Sequence, residues 1–187
     1  MIKFNNVTFS YKGERKNVLD NFSLNIKEGE RVHLSAPSGK GKTTLLRLIT
    51  GLEKAKKGNI EIRENAKISV VFQEDRLIPT LSVLKNVALF SNPDKAKEIL
   101  CRLSLCDELE HYPDELSGGM KRRVALARAL SKDFDILILD EAFNGLDEET
   151  FKNAVEVVEE CLKDKTLILI SHREEESKVL KAKTVYL

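Results

Sequence analysis

Nine residues near the start, Ala36-Pro-Ser-Gly-Lys-Gly-Lys-Thr-Thr44, constrain this chain more than any other stretch. They follow Arg31 to Ser35, which reads as a short strand. They open Thr43 to Thr50, which reads as a helix stopped by Gly51. A glycine-rich turn between strand and helix aims successive backbone N–H groups and the positive end of the helix at one point, and so makes a cradle for a phosphate. In the spacing Gly-x-x-x-x-Gly-Lys-Ser/Thr, the last three places fall on Gly41, Lys42 and Thr43. Lys42, rather than Lys40, is therefore assigned to the β and γ phosphates of a nucleotide, and the Thr43 hydroxyl to Mg2+. Ala36, Pro37, Ser38, Gly39 and Lys40 complete the cradle, with Ala36 in the first glycine's place. A positive φ there would be costly for a Cβ, whereas a demand for a small side chain alone is met by alanine.

The rest of the chain alternates strand-like and helix-like patterns. Val70-Val71-Phe72, Ile136 to Leu139 and Leu167 to Ile170 are continuous apolar runs of strand length, as expected where a parallel sheet is covered on both faces. Ile2 to Phe9 and Val18 to Ile26 alternate, so one face of each should be solvated. Val83 to Leu105 reads as helices broken near Asn92-Pro93, and Val124 to Leu130 is rich in good helix formers. The expectation is an α/β fold with a mixed sheet core, an antiparallel β edge region and a helical subdomain spanning roughly 74–130, all within a single domain, 1–187. The strand-like Thr184-Val-Tyr-Leu187 would end the chain with no room for a further regulatory domain.

Charge and apolar content exclude several functions. Lys and Arg number 31 against 30 Asp and Glu, a net charge of +1, which argues against wholesale nucleic-acid binding. No apolar stretch approaches the roughly 18 to 20 residues that span a bilayer, so any membrane role should be peripheral. Met1-Ile-Lys-Phe enters a strand pattern at once, which suggests a cytoplasmic protein. Cys101, Cys106 and Cys161 lack the close pairing of zinc or redox motifs and are expected to be reduced thiols.

Two further clusters carry chemistry. Asp135-Ile-Leu-Ile-Leu-Asp-Glu141 ends an apolar strand in two acids, and open α/β sheets bind ligands at that end of their strands. Asp140 should hold Mg2+ through water, and Glu141 should act as the general base on an attacking water. Downstream, Leu116-Ser-Gly-Gly-Met120 opens a helix whose first N–H groups, those of Gly118 and Gly119, could meet a phosphate together with Ser117. One chain would then carry two phosphate sites, one of them without a nucleotide of its own.

Taken in order, the Lys42 loop, Gln73, the Leu116 to Met120 motif, Asp140-Glu141, Asp147 and His172 resemble the ATP-binding subunit of an ABC (ATP-binding cassette) transporter across essentially the whole chain. The resemblance implies a P-loop NTPase of ABC type that binds Mg-ATP and hydrolyses it. It also implies a homodimer formed head to tail on ATP binding, in which Ser117, Gly118 and Gly119 close over the partner's nucleotide and drive transmembrane permease subunits. Thr44 would assist at the α phosphate, and Tyr11 would stack on adenine. Gln73 would approach Mg2+ and the attacking water, and His172 would contact the γ-phosphate. Asp147, within Asn144-Gly-Leu-Asp147, would belong to the loop joining the two sites across the dimer. The subunit would lie in the cytoplasm against the inner face of the membrane and bind no nucleic acid. Met120, where the family more often has glutamine, and Val71 to Pro79 look like the importer subgroup for nitrate, taurine and alkanesulfonates. The alternative is a soluble ABC ATPase acting on a macromolecular assembly.

Overall fold

The structure, a computed structural model, describes residues 1–14, 16–35 and 41–187. Two sheets organise it. Strands β1 (Ile2–Phe9), β2 (Leu19–Ile26) and β4 (Lys57–Ile62) form an antiparallel sheet in the order β2-β1-β4. Strands β3 (Arg31–Ser35), β5 (Ile68–Val71), β6 (Ile136–Asp140), β7 (Thr166–Ile170) and β8 (Lys183–Tyr186) form a parallel sheet in the order β5-β6-β7-β3-β8. The α/β architecture is as expected, with the antiparallel strands bonded into a sheet of their own.

The apolar runs divide their side chains between two cores. In β6 and β7 the isoleucines, Ile136, Ile138, Ile168 and Ile170, face α1 (Lys42–Ile49) and the antiparallel sheet. The leucines, Leu137, Leu139, Leu167 and Leu169, face the other way, into a core built with α2 (Val83–Ala88), α3 (Pro93–Arg102), α4 (Gly118–Ser131) and α5 (Glu148–Cys161). Period-two alternation explains how a run with no polar residue still has two distinct faces.

β4 and α5 are among the elements that the sequence pattern does not reveal. β4, Lys-Gly-Asn-Ile-Glu-Ile, is polar, and pairing with β1 makes it a strand. It approaches closely at Gly58 (φ +76), where a Cβ would lie 2.3 Å from the Asn5 carbonyl oxygen. α5 buries Phe151, Ala154, Val157 and Val158 at helical spacing and is capped by Asp147, whose carboxylate accepts from Thr150 N at 2.9 Å.

The segment between β5 and α2 is stitched by Asn86, which is fully buried. Its amide donates to the carbonyls of Ile78, Leu81 and Ser82, and its oxygen accepts from Ile78 N at 2.8 Å. Cys101 and Cys106, expected as thiols, are joined in a disulfide: after α3 the chain reverses through Ser104 (φ +57) and returns residue 106 to the helix end. Cys161 is free and half-buried. Among the described residues no helix is long and apolar enough to cross a membrane.

Candidate active site

Parallel pairing sets the carboxyl ends of β3, β5, β6 and β7 along one edge: Val71 is level with Leu139, Asp140 with Ile170, and Leu34 with Ile170. From that edge leave the chain toward Lys42, Gln73, the pair Asp140-Glu141, and His172. The sheet thus gathers residues up to about 130 positions apart in sequence.

Ala36, Pro37, Ser38, Gly39 and Lys40 lie outside the described residues. Gly41 follows at φ +96 as the N-cap of α1, a left-handed conformation that a side chain would strain. Lys42 begins the helix and is buried, with Nζ 3.1 Å from His172 Nε2. An ammonium only donates, so Nε2 accepts. Burial pulls the Lys42 pKa down, and the nearby charges of Glu141 and Asp140 pull it back up. Thr43 is exposed on the first turn, whereas Thr44 is buried with its hydroxyl 3.0 Å from the Tyr11 hydroxyl. Tyr11 is half-buried and meets Phe9 edge to face, ring centroids 5.0 Å apart.

Glu141 is buried beside Lys42 and His172, with Oε1 3.5 Å from His172 Nε2. Its backbone takes φ +51, a left-handed conformation costing about 1–3 kcal/mol and held by Glu141 N donating to the Ile170 carbonyl at 2.9 Å. Asn144, which the sequence reading did not assign to the site, donates Nδ2 to Glu141 Oε2 at 3.1 Å and so leaves Oε1 toward His172. Burial, then the Glu141 charge, pushes the Asp140 carboxyl up to about 6 against the pull of Lys42 and Arg122.

Gln73 is exposed just beyond β5, and its carbonyl accepts from Arg122 on α4. Arg122 also donates to the Phe72 carbonyl, and Arg128 to those of Asp75 and Arg76, so α4 holds the whole segment leading away from Gln73. Neither arginine was singled out in the sequence, since nothing there says which carbonyls a helix will reach.

Ser117 caps α4, its hydroxyl accepting from Met120 N at 3.2 Å, and Ser117 and Gly118 are exposed. Gly119 abuts the loop before Asp147: a Cβ there would stand 3.4 Å from the Gly145 carbonyl oxygen. The Leu116 to Met120 turn and the Asn144 to Asp147 loop are therefore neighbours. Besides accepting from Thr150 N, Asp147 accepts from the Thr150 hydroxyl, which holds its carboxyl below the usual range.

Together these groups present a cation and helix N-terminus for phosphate, and a carboxylate fixed by an amide for a water proton. They also present oxygen donors, Thr43 and Asp140, of the kind a hard divalent cation takes. Among the described residues no group of three or more His, Cys, Asp or Glu side chains converges as a metal cluster. The two oxygens of Thr43 and Asp140, completed by water and substrate phosphates, would suit Mg2+.

Comparison with known proteins agrees. The family model described as ABC transporter matches residues 19–144. A thiamine import ATP-binding protein of Haemophilus influenzae is 39% identical over 175 residues, covering 83% of this chain and 81% of that one. An aliphatic sulfonates import ATP-binding protein of Bacillus subtilis is 38% identical, covering 90% and 72%. A solved dimeric ATP-binding cassette in a post-hydrolysis state, bound to ADP and Pi, superimposes with a TM-score of 0.90 at 32% identity, covering all of this chain and 94% of that one. The chain belongs to the ABC transporter family.

Proposed function

We propose that this chain is the ATP-binding and hydrolysing subunit of an ABC importer, in which Mg-ATP closes two copies head to tail and hydrolysis reopens them to drive a permease. The observation that carries this is the Lys42, His172 and Glu141 cluster at the carboxyl edge of the parallel sheet. In this reading residues 1–187 work as one nucleotide-binding domain with a helical arm over 74–130, cytoplasmic and held against the inner membrane face by the permease. Import as the direction is supported by the relatives, a thiamine import and an aliphatic sulfonates import ATP-binding protein.

Lys42 leaves His172 Nε2 to meet the β and γ phosphates, and His172 then donates a ring N–H to the γ-phosphate, the proton standing on the nitrogen that faces it. Tyr11 supports the base, Thr44 the α phosphate. Asn144 fixes one oxygen of Glu141, and the other takes the proton of the attacking water, with Gln73 alongside. Mg2+, held by Thr43 and Asp140, would neutralise charge on the β and γ phosphates. Ser117, Gly118 and Gly119 are presented to the partner's nucleotide, and Asp147 fixes the loop behind them.

The test is hydrolysis of ATP to ADP by the purified chain. Activity should need Mg2+, vanish with EDTA, and fall by about 10² to 10⁴ in Glu141→Gln while ATP still binds. A Glu141→Gln protein as fast as the wild type would overturn the assignment of the base.

A further inference from the structure

His33 is a buried polar side chain that the mechanism above leaves unused. It stands in mid-β3 between the core residues Val32 and Leu34, only 2% exposed. A ring buried there loses about 1–3 kcal/mol for each nitrogen left without a partner, and both nitrogens have one. Nε2 is 3.1 Å from the main-chain oxygen of Ser171, and Nδ1 is 3.2 Å from Thr184 Oγ1 on β8. A carbonyl only accepts, so Nε2 carries the proton and Nδ1 accepts from the threonine hydroxyl; the two bonds select one tautomer.

Ser171 lies just past the end of β7 and just before His172. Its hydroxyl accepts from Arg173 N at 3.0 Å, which folds the chain around His172. Glu176, fully buried on α6 (Glu174–Val179), backs the same turn: burial pushes its carboxyl up, and the Ser171 hydroxyl and the Arg173 guanidinium, Nη1 3.8 Å from Oε1, pull it back. The Ser171 carbonyl is thus the handle by which β3 grips the turn. The turn that carries His172 is thus tied to β3 through Ser171, the strand that precedes Lys42 in sequence, while His172 itself touches Lys42 on α1.

We propose that His33 is a positioning residue for His172, tying the turn that carries it to the strand that carries the phosphate loop. The proposal rests on the reading of His172 as a γ-phosphate contact. A ring gripping the turn keeps His172 Nε2 where Lys42 and Glu141 are, and its loss should slow chemistry more than it weakens nucleotide binding.

Steady-state ATP hydrolysis by the purified chain tests it. His33→Met, similar in volume and without the donor, should lower kcat about tenfold with KM for ATP within about twofold. His33→Gln restores an N–H for the Ser171 carbonyl and should recover most of the loss. In a His172→Ala background, His33→Met should change the rate no further. Full activity in His33→Met, or the same tenfold loss on top of His172→Ala, would overturn the positioning role. His172→Ala hydrolysing at the wild-type rate would instead sink the catalytic reading of His172, and the positioning role with it. If His33→Met does not fold, Thr184→Val decides: it keeps the ring, removes the hydroxyl that selects its tautomer, and should lower kcat about threefold, an unchanged rate being contrary.

Discussion

Glu141 and Lys42 show how far single residues depend on their backbones. Glu141 sits at φ +51, where glycine is at ease and alanine is strained. Glu141→Gly should therefore be more stable than Glu141→Ala by about 1 kcal/mol in urea unfolding, with both inactive; equal stability would mean that the turn relaxes without cost. Asn144 holds Glu141 Oε2, so Asn144→Ala should lower kcat severalfold and leave KM for ATP unchanged, a rise in KM alone being contrary. Lys42→Ala should weaken ATP binding far more than Lys40→Ala, measured by titration, if Lys42 is the point-charge partner of the phosphates proposed above. Equal losses, or a larger loss at Lys40, would show that the cradle is placed wrongly. The Lys42, Glu141 and His172 positions were legible from motif order. His33 and Asn144 were not, since their partners lie 138 and 3 residues away and only the folded chain says which atoms meet.

Elements were legible where burial is strong. The isoleucine and leucine runs of β6 and β7 announce strands covered on both faces, and the glycine-rich turn announces α1. β4 was hidden because its pattern is polar and its strand character comes from β1, against which Gly58 allows the close approach. α5 was hidden behind its cap: Asp147 drew attention for another role, although Phe151, Ala154, Val157 and Val158 mark the buried face. The disulfide depends on a reversal at Ser104 that no spacing rule contains. α4 acts as a clamp on the Gln73 segment, and charge-assisted bonds of this kind contribute about 1.5–3 kcal/mol each. Arg128→Ala, which frees the carbonyls of Asp75 and Arg76, should speed amide exchange across residues 73–78 and leave β6 and β7 protected. Exchange unchanged in that segment would show that Arg122 and Asn86 hold it without Arg128.

At the scale of the whole molecule, one chain offers the Lys42 site and, on an exposed turn, a second set of N–H groups at the start of α4. That turn abuts the loop before Asp147 at Gly119, and Asp147 caps α5. In the proposed closure a second copy would give the exposed turn a phosphate and each Lys42 site a further wall, which is the central claim. Glu141→Gln slows hydrolysis and so should trap the closed state. Light scattering on this variant, with saturating Mg-ATP confirmed bound, is the direct measurement. The account predicts twice the 21.2 kDa mass of one chain, reverting to one chain with ADP or when Ser117→Arg is added. A Glu141→Gln protein that holds ATP and stays at the mass of one chain at high concentration would contradict it.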